Sequence, residues 1–294
     1  MTMNPLVRSF HHLGTSTWTH VIADPATRRA AIVDPVLDLD PASGRVSADS
    51  ARRVFEYLGT TGLVVDWILE THAHADHLSA AAWFQRTLAT SAQPPDIGIG
   101  AGIVEVQRTF KRLLNLDADF ATDASQFDRA FAEGEVFRIG ELEMRVIATP
   151  GHTPDGVSYL VGDAVFVGDT LFAPRAGSAR CDFPGASAVM LYRSIQRLYA
   201  LPDATRMFVC HDYPGAGEEP VAQTTVGEQK RSNIHIRGDT REDEFVALRV
   251  ARDTTLPTPA LLWHSLQVNI RAGHLPTAES NAVTYLKLPL QVDL

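Results

Sequence analysis

Residues 71–77 read Thr-His-Ala-His-Ala-Asp-His, and this segment restricts the fold more than any other. Three imidazoles and one carboxylate fall within six residues, directly after an apolar run at 63–69. The next segment, 78–88, contains neither Gly nor Pro and reads as a helix. Imidazole nitrogen and carboxylate oxygen are the donors that Zn, Fe and Mn sites use. In an extended stretch His72 and His74 project to the same side, and the small Ala73 and Ala75 leave space between them. The chain holds 11 histidines in 294 residues, so three within six positions is a concentration that chance seldom produces. The pattern predicts a metal loop between a strand and a helix.

Composition narrows what such a loop could serve. A formal charge of −9 and a pI near 5.6 repel phosphate backbones and anionic membranes, so no nucleic-acid and no membrane partner is expected. Cys181 and Cys210 stand far apart, which excludes a disulfide scaffold and fits a reducing cytoplasm. Arg8, His11 and His12 interrupt the apolar stretch a signal peptide would need. No segment reaches the roughly 18 apolar residues of a membrane span. The expectation is a soluble, cytoplasmic protein.

Strand-like and helix-like segments alternate along the chain. Strands are predicted at 21–23 and 29–33 around the turn Asp24-Pro25-Ala26-Thr27, then at 63–69, 141–148, 157–161, 164–168 and 207–210. Helices are predicted at 47–58 with Ser47 as cap, 78–88, 103–116 and 189–201, and in the tail at 226–233, 242–252 and 260–269. Without a repeat or long linker, 1–294 reads as one α/β domain with a helical C-terminal extension at 221–294. Hairpin-like neighbours make a purely parallel sheet a poor fit.

Three further histidine and aspartate positions follow strand ends: Pro150-Gly151-His152-Thr153, Gly168-Asp169-Thr170, and Cys210-His211-Asp212-Tyr213. Each alone is a common turn. Together, in this order after His-x-His-x-Asp-His, they resemble the metallo-β-lactamase superfamily, a likeness covering the chain from His11 to at least Asn233. It implies an αββα sandwich with a metal at the edge where two sheets meet. The flavo-diiron branch carries Glu where this chain has His74. The stretch 168–172, then Gly177-Ser178-Ala179-Arg180-Cys181-Asp182-Phe183-Pro184-Gly185, is similar to the persulfide dioxygenase (sulfur dioxygenase, ETHE1-like) branch. So is the block from His211-Asp212-Tyr213 to Thr225-Val226-Gly227-Glu228-Gln229-Lys230 and Asn233.

That resemblance implies one Fe(II) per chain held by His72, His152 and Asp169, with His74, Asp76, His77 and His211 around them as orienting groups. It implies oxidation of glutathione persulfide by O2 to sulfite and glutathione, and a homodimer. Two His and one carboxylate leave up to three positions open on iron, enough for a persulfide sulfur and dioxygen. Arg180 would pair with a glutathione carboxylate, and Tyr213 would reach toward the site. Lys230, with Arg231 and Arg237, would add positive field around an anionic tripeptide; composition alone makes these three a solvated face. Asp34 is expected to support the metal loop. The alternative is a glyoxalase II-like thioester hydrolase, with two metals ligated by the same donors. A catalytically silent sulfane-sulfur or metal-binding protein is a third reading.

Overall fold

The computed structural model describes residues 4–89, 93–290 and 292. In chain order come β1 (Leu6–His12), β2 (Thr17–Ala23), β3 (Arg29–Val33), β4 (Val36–Asp40), β5 (Arg45–Ser47) and α1 (Asp49–Thr61). They are followed by β6 (Val64–Leu69), β7 (Leu78–Ser79), α2 (Ala81–Leu88), β8 (Asp96–Gly100), α3 (Ile103–Leu113) and β9 (Arg129–Phe131). The second half holds β10 (Val136–Ile139), β11 (Leu142–Ala148), β12 (Val157–Val161), β13 (Ala164–Phe166) and α4 (Ala188–Tyr199). Last are β14 (Arg206–Phe208), β15 (Gln223–Thr225), α5 (Val226–Ser232), α6 (Glu242–Asp253) and α7 (Leu262–Asn269).

Two six-stranded mixed sheets, in the orders β1-β2-β3-β6-β8-β9 and β10-β11-β12-β13-β14-β15, face each other. Period-two alternation sorts their side chains into separate apolar layers. Along β3, Ala30 and Ile32 join a core shared with α1, α2, α3 and α7, whereas Ala31 and Val33 turn into the core between the sheets. Along β14, Phe208 joins the inner core while Met207 packs outward with α4, α5 and α6. Three stacked cores make the αββα sandwich. The C-terminal helices are divided between its two outer faces, and 274–290 carries neither helix nor strand.

Some boundaries differ from the pattern-based expectation because distant chain supplies what local sequence lacks. Ser47 is not the cap of α1; it ends β5 opposite Asp38, and Asp38 Oδ2 accepts the Ser50 N–H at 2.9 Å instead. The helix expected at 78–88 begins only at Ala81, because Leu78 and Ser79 pair with Val36 and Leu37 of β4. Strands β9 and β15 are three residues long and stand only as added edges of sheets, and the five-residue β8 is held between β6 and β9. No helix among the described residues is long and apolar enough to cross a membrane.

His20 shows what this packing costs a polar group. Its ring lies buried edge-on against the stacked pair Phe166 and Phe208, with Nε2 on the Val209 carbonyl at 3.1 Å. Burial pushes its pKa down to about 4 against the weaker opposing pull of that carbonyl. The unfolded chain then binds the extra proton between pH 6.5 and 4, so stability falls as pH is lowered through that window, by about 3 kcal/mol. Urea denaturation of wild type and His20→Gln checks this: the difference between them should shrink by that amount from pH 7.5 to 4, and a constant difference would contradict it.

Candidate metal centre

The loop after β6 is held from three directions. Asp34, itself at φ +50° and buried, accepts the Thr71 N–H (2.7 Å) and Thr71 Oγ1 (2.9 Å) and binds His74 Nε2 (2.9 Å). Asp155 Oδ2 accepts the Ala73 N–H at 2.7 Å. Asn269, the last residue of α7, donates to the carbonyls of His74 and His77, both at 2.8 Å, and accepts the Ser79 N–H. Gly168 must lack a side chain: at φ +50° a Cβ would meet Thr71 Oγ1 at 2.4 Å, and this close approach brings Asp169 against the loop.

The imidazoles arrive already oriented, each with one nitrogen committed to the protein. His152 Nδ1 lies 2.8 Å from the Arg180 carbonyl, His211 Nδ1 3.0 Å from the Ser16 carbonyl, and His72 Nδ1 3.1 Å from Thr71 Oγ1. Their Nε2 atoms converge on Asp169. Oδ2 is 3.8 Å from His72 Nε2 and 3.5 Å from His152 Nε2, while Oδ1 is 3.3 Å from His211 Nε2. This is the arrangement by which outer partners fix the tautomer of a metal-ligating histidine.

Buried atoms without partners test whether the residues fit an ion. His72 Nε2, His74 Nδ1 and His77 Nε2 are buried without a hydrogen bond, a costly state that an ion relieves. His72, His74 and Asp169 offer ligand atoms within 4.8 Å of one another, as do His74, Asp76 and His77, and Asp169, Cys210 and His211. The cluster therefore fits a metal, and its donors extend over two adjoining positions that the Asp169 carboxylate faces with its two oxygens. Electrostatics agree: burial, followed by the charge of His74, lowers the His72 pKa well below its usual value. Burial would raise the Asp169 pKa, but His211, His72 and His152 outweigh it and hold the carboxylate ionised.

The centre opens into a cavity of ≈ 280 Å³ whose walls include Asp76, His152, Asp169, Phe172, Phe183 and Tyr213, with Arg180, Arg249 and Arg252. Tyr213 stacks on His211, ring centroids 5.7 Å apart, and is 56% exposed. Arg180 reaches the wall with its fork on Asp182, 2.6 Å at both nitrogens, and with Nη1 on the Pro257 carbonyl. Lys230 is not part of this wall: it leaves α5 toward Asp203, which it contacts at 2.6 Å. Cys181 is half-buried, and burial pushes its pKa up to about 12, which makes it a poor nucleophile at neutral pH. Arg175 pairs with buried Asp212 and with Glu218.

Sequence reasoning passed over Asn269, Asp155, Arg249 and Arg252. None sits in a histidine-rich motif. For Asn269, the one available signal was a polar residue closing an otherwise apolar helix stripe. Arg249 is buried beside Asp253 and donates to the Ser178 carbonyl. Arg252 lines the cavity with no ion partner among the described residues.

Comparison with known proteins bears on the centre directly. A "Beta-lactamase hydrolase-like protein" of Agrobacterium fabrum (strain C58 / ATCC 33970) is 50% identical over 289 residues, 98% of this chain. The chain spans only 65% of that relative's length. "Glyoxylase B2" of Dictyostelium discoideum is 44% identical over 291 residues, 99% of this chain and 98% of the relative. Among solved structures, ETHE1 from Myxococcus xanthus matches with a TM-score of 0.72 and 30% identity, covering 92% of this chain and all of that one. The metallo-beta-lactamase superfamily profile matches residues 14–211, the span containing all seven histidine and aspartate positions of the centre. With the αββα sandwich and the donor cluster at the edge of its sheets, this match places the chain in the metallo-beta-lactamase superfamily, to which it belongs.

Proposed function

We propose that the protein is a persulfide dioxygenase that oxidises glutathione persulfide with O2 to sulfite and glutathione, using one Fe(II) per chain. One observation carries the reading. His72 Nε2 and His152 Nε2 converge on Asp169 Oδ2 as two imidazoles and one carboxylate, and His152 and Asp169 stand in the wall of a cavity that Arg180, Arg249 and Arg252 also line. That donor set is the one non-haem iron oxygenases use, and it leaves open positions on the metal. Bound iron would supply the redox chemistry that joins O2 to sulfur.

The protein's own residues do the rest. The Arg180 carbonyl orients His152, and Thr71 orients His72. Phe172 and Phe183 form an apolar part of the wall beside His152 and Asp169, against which the sulfur would lie. Arg252, free of an ion partner among the described residues, is placed to receive a substrate carboxylate, and Arg180 can do so by exchanging with Asp182.

The second reading, a glyoxalase II-like binuclear thioester hydrolase, draws on the adjoining donors Asp76, His77 and His211, which are present and converge as well. Elemental analysis separates the two. Protein loaded anaerobically with Fe(II) should retain one iron per chain and consume O2 with glutathione persulfide. Two retained zinc ions, thioester hydrolysis and no O2 uptake would establish the hydrolase instead.

A further inference from the structure

One histidine outside the donor cluster also lines the cavity. His235 stands in its wall with Ser178, Arg249 and Arg252. The ring lies against Gly177, at φ +86°, where a Cβ would meet Nδ1 at 2.1 Å, so only glycine admits it. Asn233 fixes the backbone beneath. Its Oδ1 accepts the N–H groups of His235 and Ile236 at 2.9 and 3.1 Å, and its Nδ2 donates to the Gly177 carbonyl at 3.1 Å. The imidazole is therefore held on the loop that leads to Arg180, whose carbonyl orients His152.

Two donors decide its tautomer. The Ser178 N–H meets Nδ1 at 2.9 Å, and Arg249 Nη1, which can only donate, lies 3.3 Å from the same nitrogen. Nδ1 is therefore bare and the proton sits on Nε2. That Nε2–H has no protein partner among the described residues and is not buried. Burial, then the charges of Arg249 and Arg252, push the ring's pKa down to about 4, so it stands neutral near pH 7. The wall thus presents one neutral N–H of fixed tautomer beside guanidinium groups. Arg249 is already engaged by Asp253 and the Ser178 carbonyl. Arg252 and Arg180 suffice for the two carboxylates of glutathione. A neutral donor matches the acceptor that remains on such a substrate, an amide carbonyl.

We propose that His235 donates through Nε2–H to a peptide carbonyl of the glutathione moiety and so selects a peptidyl persulfide over smaller ones. The inference rests on the glutathione persulfide reading of the site. Cysteine persulfide carries no amide and leaves this donor without its partner. Because the cavity is open, water takes the vacant place, which holds the discrimination to the value of one neutral hydrogen bond, about 3–10-fold.

The test uses the full chain loaded with Fe(II), and two variants that divide the ring's two nitrogens. The side-chain amide of Asn reaches about as far as Nδ1, and that of Gln about as far as Nε2. His235→Asn keeps an acceptor for the Ser178 N–H and loses the outer donor. It should raise KM for glutathione persulfide about 3–10-fold with little change in kcat, and shift KM for cysteine persulfide much less. His235→Gln keeps the outer donor and should stay near wild type with both substrates. Anaerobic calorimetry with S-methylglutathione, which carries no reactive sulfur, reads the same order without turnover: weaker binding in His235→Asn, wild-type binding in His235→Gln. The reverse order, or equal effects in the two variants, would overturn the assignment by making the ring a support for Ser178 alone. Absence of S-methylglutathione binding in wild type would overturn it as well. If wild type binds S-methylglutathione but consumes no O2 with either persulfide, the dioxygenase reading has failed, and the calorimetric order still decides the role of His235.

Discussion

Asp169→Ala is expected to strip the protein of its metal and abolish turnover, while His77→Ala keeps most of the metal and only slows the reaction. Asp169 Oδ2 faces both His72 Nε2 and His152 Nε2, so it closes the three-donor set. If three ligands share about 10–16 kcal/mol of binding free energy, losing one costs roughly 3–5 kcal/mol, or about 10²–10⁴-fold in affinity. His77 lies at the adjoining position, with Nδ1 on Asp76 and Thr17 near it. As an outer group of a mononuclear site, its loss should cost no more than about 10–100-fold. Metal content after anaerobic loading and desalting, with circular dichroism to confirm folding, checks both variants. Equal metal loss in the two would overturn the mononuclear assignment, since it would make His77 a ligand.

The second large effect concerns Asp34, which touches no substrate. Its carboxylate is buried and accepts from the Thr71 N–H and hydroxyl while binding His74 Nε2. Asp34→Ala leaves the buried Thr71 N–H unpaired, leaves Thr71 Oγ1 with His72 Nδ1 alone and His74 Nε2 with only the Glu70 carboxylate at 3.6 Å, and adds strain because Asp34 sits at φ +50°, where Ala is unfavourable. The expected loss is about 3–5 kcal/mol of stability, a fall of roughly 10 °C in Tm, together with about 10–100-fold weaker metal binding. Asp34→Asn tolerates the backbone conformation and keeps an acceptor for Thr71, so it should recover much of the stability while His74 remains poorly oriented. Thermal unfolding with and without metal measures both. An Asp34→Ala variant with the wild-type Tm and metal affinity would show that the loop holds its shape without this carboxylate.

Much of the centre was legible because its chemistry depends on residue types packed closely in sequence. His72, His74, Asp76 and His77 lie within six residues, and His152, Asp169 and His211 each follow a strand that period-two apolar patterning reveals. The structure brings all seven to one place. Lys230 shows where this reasoning stops. Its place in a familiar block pointed it at the substrate, but the helix turns its stem toward Asp203, and no pattern in residues 226–232 encodes that rotation. The helix starts at Asp49 and Ala81 were obscured for a related reason, since their first turns are shaped by β4, ten or more residues away in sequence.

By itself, the sequence determined the fold class and the donor atoms. Periodicity marks strands and helices locally, and donor identity is a property of single side chains. Tertiary structure alone decided how those donors are used. Asp34, Asp155 and Asn269 converge on one loop from three remote segments, and Asp169 presents its two oxygens to different histidines. The reason is that a hydrogen bond is made or lost over a few tenths of an ångström, a tolerance set by how two sheets and their helices pack and not by the order of residues along the chain.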